Sequence, residues 1–179
     1  MASFDFAIPV ILKNEGGLVD DPADHGGITN FGLTLGWLNG KADPVKYAGH
    51  AAPWVPDDVR NMTQAAAAQI YKECMWDPQQ YGLLADDRVG TKVFDAAVNL
   101  GESRGERFAQ RAANNLGCHL VEDGQLGPAS RAAINGLDSD AFLRAMGSVM
   151  ADFYNAIVAH DPTQAKFLKG WLRRAAWPF

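Results

Sequence analysis

Glu15, Asp24 and Thr29 are the residues whose types and spacing suit bond cleavage. Glu15 opens Glu15-Gly16-Gly17, Asp24 follows nine residues after the glutamate, and Gly26-Gly27-Ile28-Thr29-Asn30-Phe31-Gly32-Leu33-Thr34 completes the stretch. Glycines that take positive φ at little steric cost let such a segment fold tightly and gather polar side chains. Two carboxylates in unlike environments are what glycoside hydrolysis uses. One protonates the glycosidic oxygen, while the other activates a water or stabilises positive charge on the sugar. Thr29 is placed to orient that water. A lone acidic residue in a turn is far more often a solvated turn former, and Asp20 and Asp21 compete with Asp24 for the second role. His25 reads most simply as a solvated turn histidine.

The elements that must position these groups are legible in the flanking pattern. Phe4, Ala7, Ile8, Ile11 and Leu12 recur at helical spacing, with Ser3 as N-cap and Pro9 discordant. Gly16-Gly17 stops that helix, so Glu15 stands at its C-terminus. There the partial negative charge of the macrodipole favours the protonated carboxyl, the form a general acid requires. Asp24 lies beyond a turn at Asp20-Asp21-Pro22 and is better hydrated.

Taken whole, Glu-Gly-Gly, Asp, Gly-Gly, Thr and Asn-Phe-Gly-Leu-Thr at this spacing closely resemble the N-terminal signature of glycoside hydrolase family 108. Its members are lysozyme-like muramidases often found as phage endolysins. The resemblance implies that Glu15 is the catalytic residue, and that Asp24 and Thr29 complete a Glu-Asp-Thr triad of the kind similar phage lysozymes carry. Leu18 stands where an aromatic is common, His25 where proline is common, and Phe31 and Leu33 replace a Tyr and an Ile. It further implies bacterial peptidoglycan as partner, action without a cofactor, a monomer, and release by a separate holin.

Beyond Thr34 the chain reads as helices joined by loops. Leu35 to Asp58 is a long irregular connection able to wall a cleft, with Trp37, Tyr47 and Trp54 available to sugar faces or to loop packing. Asn30, Trp37 and Asn99 are the candidate substrate contacts. Thr63 caps a helix through Met75 that Trp76-Asp77-Pro78 ends, and a second helix runs from Asp87 to Leu100. Phe94-Asp95-Ala96-Ala97-Val98-Asn99-Leu100-Gly101 again resembles the family. Asp95 and Asn99 share a face there and are expected to hold the active-site turn by buried hydrogen bonds.

From Gly101 the sequence is similar to the predicted peptidoglycan-binding module that accompanies the family. A helix is expected from Phe108 to Leu116, and a Glu122–Pro128 loop of the Asp-Gly-x-x-Gly-Pro kind follows. A long amphipathic helix spans Asp138 to His160. The closing Phe167-Leu168-Lys169-Gly170-Trp171-Leu172-Arg173-Arg174 is also similar to the family, and Lys166, Lys169, Arg173 and Arg174 make a basic end. The expectation is a mainly α, lysozyme-like fold with at most a small β-hairpin between Val19 and Thr34. Residues 1–100 form the catalytic region and 101–179 the helical binding region, packed into one globular unit.

Composition narrows the class. With 179 residues and a net charge of −5, the chain is long enough for a substantial core and offers no support for nucleic-acid binding. No apolar run approaches the ~20 residues that span a bilayer, and Met1 to Phe6 lacks a secretory signal. The expectation is synthesis in the cytoplasm and action on the cell wall after release. Cys74 and Cys118 form no disulfide framework, and His25, His50, His119 and His160 show no metal-ligand spacing. Three functions fit: an N-acetylmuramidase, a non-catalytic peptidoglycan-binding protein on the same fold, and a lytic transglycosylase.

Overall fold

Helix α1 spans Phe4–Glu15 and runs through Pro9 to end where the glycines begin, with Gly16 at φ +77° just past its last residue. The computed structural model describes residues 1–20 and 27–177. Asp21, Asp24 and His25 therefore lie outside the described residues. Two compact units emerge, Ile8–Gln80 and a second made of Met1–Ala7 with Tyr81 onward, and the division falls within α1.

In the Ile8–Gln80 unit, β1 (Thr29–Asn30) and β2 (Leu33–Thr34) form an antiparallel hairpin with Thr29 opposite Thr34 and Asn30 opposite Leu33. Val19 bridges to Thr29 on the other side of β1. This is the small β element expected. Helices α2 (Leu35–Lys41), α3 (Pro44–Tyr47), α4 (Pro56–Arg60) and α5 (Gln64–Tyr71) follow. Ile11, Leu33, Leu38, Val59, Ala67 and Ile70 are buried together with Tyr71 as the core of this unit.

Two expectations need correction here. The segment from Leu35 to Asp58 is not one irregular connection. Thr34 accepts from Trp37 N and Asp43 from Val45 N, so each starts a short helix. The glycines at 36 and 40 had hidden the apolar period of α2. Nor does the helix after Thr63 stop at Met75. It passes through a π-turn at Lys72–Trp76 into α6 (Asp77–Gln79), where the Asp77 N–H donates to Lys72 O, five residues back. Pro78 falls in the first turn of α6, where a missing N–H is tolerated. Gln80, at φ +57°, ends the run.

The other unit is built from longer helices: α7 (Asp87–Leu100), α8 (Glu102–Asn115), α9 (Pro128–Asn135), α10 (Ser139–His160) and α11 (Ala165–Ala176). Asp86 caps α7 by accepting from Arg88 N and Val89 N, and Asp138 caps α10 by accepting from Ala141 N. Gly101, at φ +88°, turns the chain between α7 and α8. Helix α8 starts at Glu102, six residues before the expected Phe108, and its Gly105 packs backbone-close on α7. A Cβ there would lie 2.5 Å from Ala97 N. Thus α7 packs with α8 and α10 in one unit.

Buried polar groups knit this unit together. Lys92 is fully buried in α7 and donates to the carbonyls of Arg174, Ala175 and Trp177 at 2.9, 2.6 and 2.6 Å, capping the end of α11. Burial lowers its pKa to about 8. Asp95 opposes that shift and Arg174 adds to it, and a value of about 8 leaves the ammonium form in the majority at neutral pH. Arg174 makes a two-pronged pair with Asp95, each bond 2.9 Å. Arg174 is therefore committed inside the unit rather than to the basic surface read from the sequence. The Glu122–Pro128 loop is likewise clamped: Gln110 donates to Asp123 and Gln125 O and accepts from Gly124 N, while Leu126 N donates to buried Glu106. Burial raises the Glu106 carboxyl above the ordinary range, and Tyr81 OH also donates to it. Among the described residues no helix is long and apolar enough to cross a membrane.

Candidate active site

Glu15 leaves α1 half-buried, and what meets its carboxyl is the tip of the β1–β2 hairpin. Two residues, Phe31 and Gly32, connect the strands, both at positive φ (+50° and +79°) as a type I′ turn requires. For a phenylalanine that conformation is unusual and strained. The turn is fixed by Tyr71, whose hydroxyl donates to Phe31 O at 2.9 Å. A Cβ at Gly32 would stand 2.7 Å from the Tyr71 hydroxyl and 2.8 Å from both Cγ and Oε2 of Glu15. Only glycine both adopts this φ and leaves the glutamate its place. Glu15, the turn and Tyr71 therefore form one packed constellation within the Ile8–Gln80 unit.

The strand faces sort the remaining candidates. Asn30 and Leu33 point into the core, 4% and 2% exposed, and Asn30 Nδ2 donates to Val59 O at 2.9 Å, tying the hairpin to α4. Its side-chain amide thus serves the scaffold, and its role as a substrate contact stays an expectation. Thr29 lies on the other face, half-buried, with its hydroxyl donating to Gly27 O at 3.3 Å and its backbone paired with Val19. That pairing returns the chain beside β1 just after Glu15-Gly16-Gly17.

Asp20, one competitor for the second carboxylate, is held by Arg60 through Nε at 2.9 Å and Nη2 at 2.8 Å, both to Oδ2. Asp57 pairs with the same guanidinium. Asp20 is thus engaged by Arg60, and Asp24 keeps the assignment as an expectation, outside the described residues.

Trp37 is half-buried in α2, and the described bond of its residue is from its backbone N–H to Thr34. Asn99 lies in the other unit, where Tyr154 OH donates to its Oδ1 at 2.6 Å. The hydrogen bonds described for Asp95 and Asn99 thus bind α11 and α10 to α7. Trp54 is 4% exposed and donates from its indole to Ala42 O at 2.8 Å, so it packs the loop down. Tyr71 is the residue that sequence reasoning missed. Forty positions from the hairpin, it carries no local signal, although Asn30-Phe31-Gly32-Leu33 itself has the form of a two-residue turn.

A second cluster lies on the π-turn. Glu73 accepts from Lys46, Tyr47 and Gln69, and these hydrogen bonds, Lys46 foremost, hold its carboxyl down at about 2. Burial, and then Glu73, push the Tyr47 hydroxyl well above its ordinary value. Cys74 is half-buried with its sulfur 3.8 Å from the same hydroxyl, and burial raises its thiol.

Comparison with known proteins agrees with this architecture. The family model described as glycosyl hydrolase 108 matches residues 8–101, and one described as a predicted peptidoglycan domain matches 104–176. A solved structure of SagA from Brucella abortus is 26% identical, with a TM-score of 0.71 over 97% of this chain and 89% of that one. No curated protein sequence matches. With the larger match covering more than half its length, the chain belongs to the glycosyl hydrolase 108 family, a glycoside hydrolase region joined to a predicted peptidoglycan domain and directed at peptidoglycan.

Proposed function

We propose that the protein is an N-acetylmuramidase that hydrolyses the β-1,4 bond between N-acetylmuramic acid and N-acetylglucosamine. Glu15 donates its proton to the glycosidic oxygen as the bond to the anomeric carbon breaks. Asp24 takes a proton from the attacking water or stabilises the positive charge on the sugar, and Thr29 orients the water. The observation that carries this reading is the Glu15 carboxyl seated against Gly32 at the hairpin tip, beside the Tyr71 hydroxyl. A general acid must be held in one place, and a turn pinned by Tyr71 supplies that support. The same reading makes it a monomeric endolysin of phage or prophage, synthesised in the cytoplasm and released to the wall by a separate holin.

The test is digestion of purified peptidoglycan by the wild type and by Glu15→Gln, with mass spectrometry of the fragments. Reducing N-acetylmuramic acid ends, reduced about 10²- to 10⁴-fold in the variant, are the expected result. Anhydro ends move the reaction to a lytic transglycosylase. Retention of the polymer without cleavage overturns the enzymatic reading in favour of a binding protein.

A further inference from the structure

The short helices of the Ile8–Gln80 unit enclose a groove of about 280 Å³, lined by Tyr47, Trp54, Asp58, Asn61, Met62 and Ala66 among others, that none of the residues assigned above to catalysis lines. We propose that this groove is a binding site for one N-acetylated hexosamine unit of the glycan strand, away from the bond that Glu15 cleaves. The proposal deepens the muramidase reading and rests on it for its choice of ligand.

The lining has the mixture such a sugar demands. Met62, Ala48 and Ala66 give an apolar patch for an acetamido methyl, and Tyr47 adds an aromatic ring of the kind that packs on the apolar face of a pyranose. That ring is anchored at its far end, because the Tyr47 hydroxyl donates to Glu73, which Lys46 and Gln69 also hold. Polar capacity remains beside the patch. Asp58 Oδ2 is occupied by His50 Nε2 and Val55 N, both at 2.9 Å, while its Oδ1 takes no described hydrogen bond. Asn61 donates from Nδ2 to Asp57 O and keeps Oδ1 as an acceptor. Thr63 Oγ1 accepts from Ala66 N, which leaves its hydroxyl proton to donate. Two acceptors and one donor match the N–H, a ring hydroxyl and the carbonyl of an N-acetylhexosamine.

The helices that shape the groove also hold the catalytic constellation. In α5, Ala66 lines the groove and Tyr71 pins the hairpin, five residues or about 7.5 Å further along the axis. At α4, Asp58 faces the groove, while the neighbouring Val59 carbonyl accepts from Asn30 and the Arg60 guanidinium donates to Asp20. The groove and the hairpin anchor thus share the same two short helices as scaffold.

The experiment uses the full-length chain with Glu15→Gln, so that nothing is consumed, titrated with triacetylchitotriose and followed by amide NMR. The expected result is shifts at the Asn61 side-chain amide and the backbone of Tyr47, Ala48 and Thr63 to Ala66. Adding Ala66→Leu, which fills the groove while favouring helix, should weaken binding about tenfold or more with the circular dichroism spectrum unchanged. Shifts confined to other residues, or equal affinity in the Ala66→Leu protein, overturn the proposal. Cleavage of peptidoglycan by the wild type is scored separately. Groove shifts without cleavage support the site while sinking the muramidase reading, and cleavage without groove shifts does the reverse.

Discussion

The two units spend their polar residues in opposite ways. Six of the seven buried polar or charged residues described, Thr91, Lys92, Asp95, Glu106, Gln110 and Ser130, belong to the unit of long helices, and only Asn30 belongs to Ile8–Gln80. Among the described residues, every fully buried side-chain nitrogen and oxygen has a hydrogen-bond partner. The helical unit therefore converts its charges into internal fastenings, and a satisfied buried network fixes one arrangement of helices. In the hairpin unit, Glu15, Thr29, Asp58, Asn61 and Glu73 remain half-buried or exposed. Groups left in reach of solvent are in reach of a substrate. One unit thus buries its polar fastenings, and the other makes its polar contacts nearer the surface.

The most severe way to test that contrast is to remove a fastening. Lys92→Met keeps the shape of the stem and takes away the charge that three carbonyls share. Leaving buried acceptors without a donor, next to an Asp95–Arg174 pair that has lost its neighbour, should cost about 3–5 kcal/mol. Chemical denaturation of the full chain measures it. A cost below about 1 kcal/mol would show that the ammonium is an incidental guest and that the helical unit is not held by its buried charges.

How much of this was legible follows the same division. The apolar period of α7 and α10 announced both helices, and Gly16 stopped α1 so as to leave Glu15 at its end. Lys92 gave no warning, because a lysine within an amphipathic pattern reads as a solvated position and its acceptors lie more than eighty residues away. The Glu122–Pro128 segment was legible as a loop, but a loop sequence does not reveal that Gln110 and Glu106 on α8 bind its polar groups. In the hairpin unit, the turn chemistry of Asn30-Phe31-Gly32-Leu33 was local and legible, but Tyr71 was not. The π-turn escaped for a related reason: Pro78 is a strong stop signal, and a single i→i+5 step that accommodates it has no residue signature of its own. Local backbone preference is written in neighbouring residues; long-range polar pairing is not.

A smaller change probes the hairpin unit by its activity. Gly32→Ala asks alanine to hold φ +79° and sets a methyl 2.7–2.8 Å from Tyr71 OH and the Glu15 side chain. The backbone alone should cost about 1–2 kcal/mol. Something must also move, and the end of the glutamate side chain is the most mobile of these neighbours. A shift of roughly 1 Å in a catalytic group can cost about 10²-fold in rate, so turnover of peptidoglycan should fall far more than stability does. Equal and modest losses of both would mean that Gly32 serves the turn and not the glutamate.

The gentlest probe is pH, applied to Glu73 beside the proposed groove. Its hydrogen bonds, first from Lys46 and then from Tyr47 and Gln69, lower its pKa to about 2, against an ordinary glutamate value near 4.3. A carboxyl depressed in the folded state contributes stability that is fully present above the unfolded value and is lost as pH falls through the folded one. The anchor of the Tyr47 ring should therefore persist at pH 4 and release only as the solution approaches pH 2. Carboxyl carbon NMR of the full chain should place the Glu73 midpoint near 2 and move it upward in Lys46→Ala. Because this cluster is open to water, the accompanying change in stability should be small, in keeping with a unit that holds its charges at the surface. A Glu73 midpoint near 4.3 would remove the anchor, and with it the distinction between a ring held ready for a ligand and one that merely lies there.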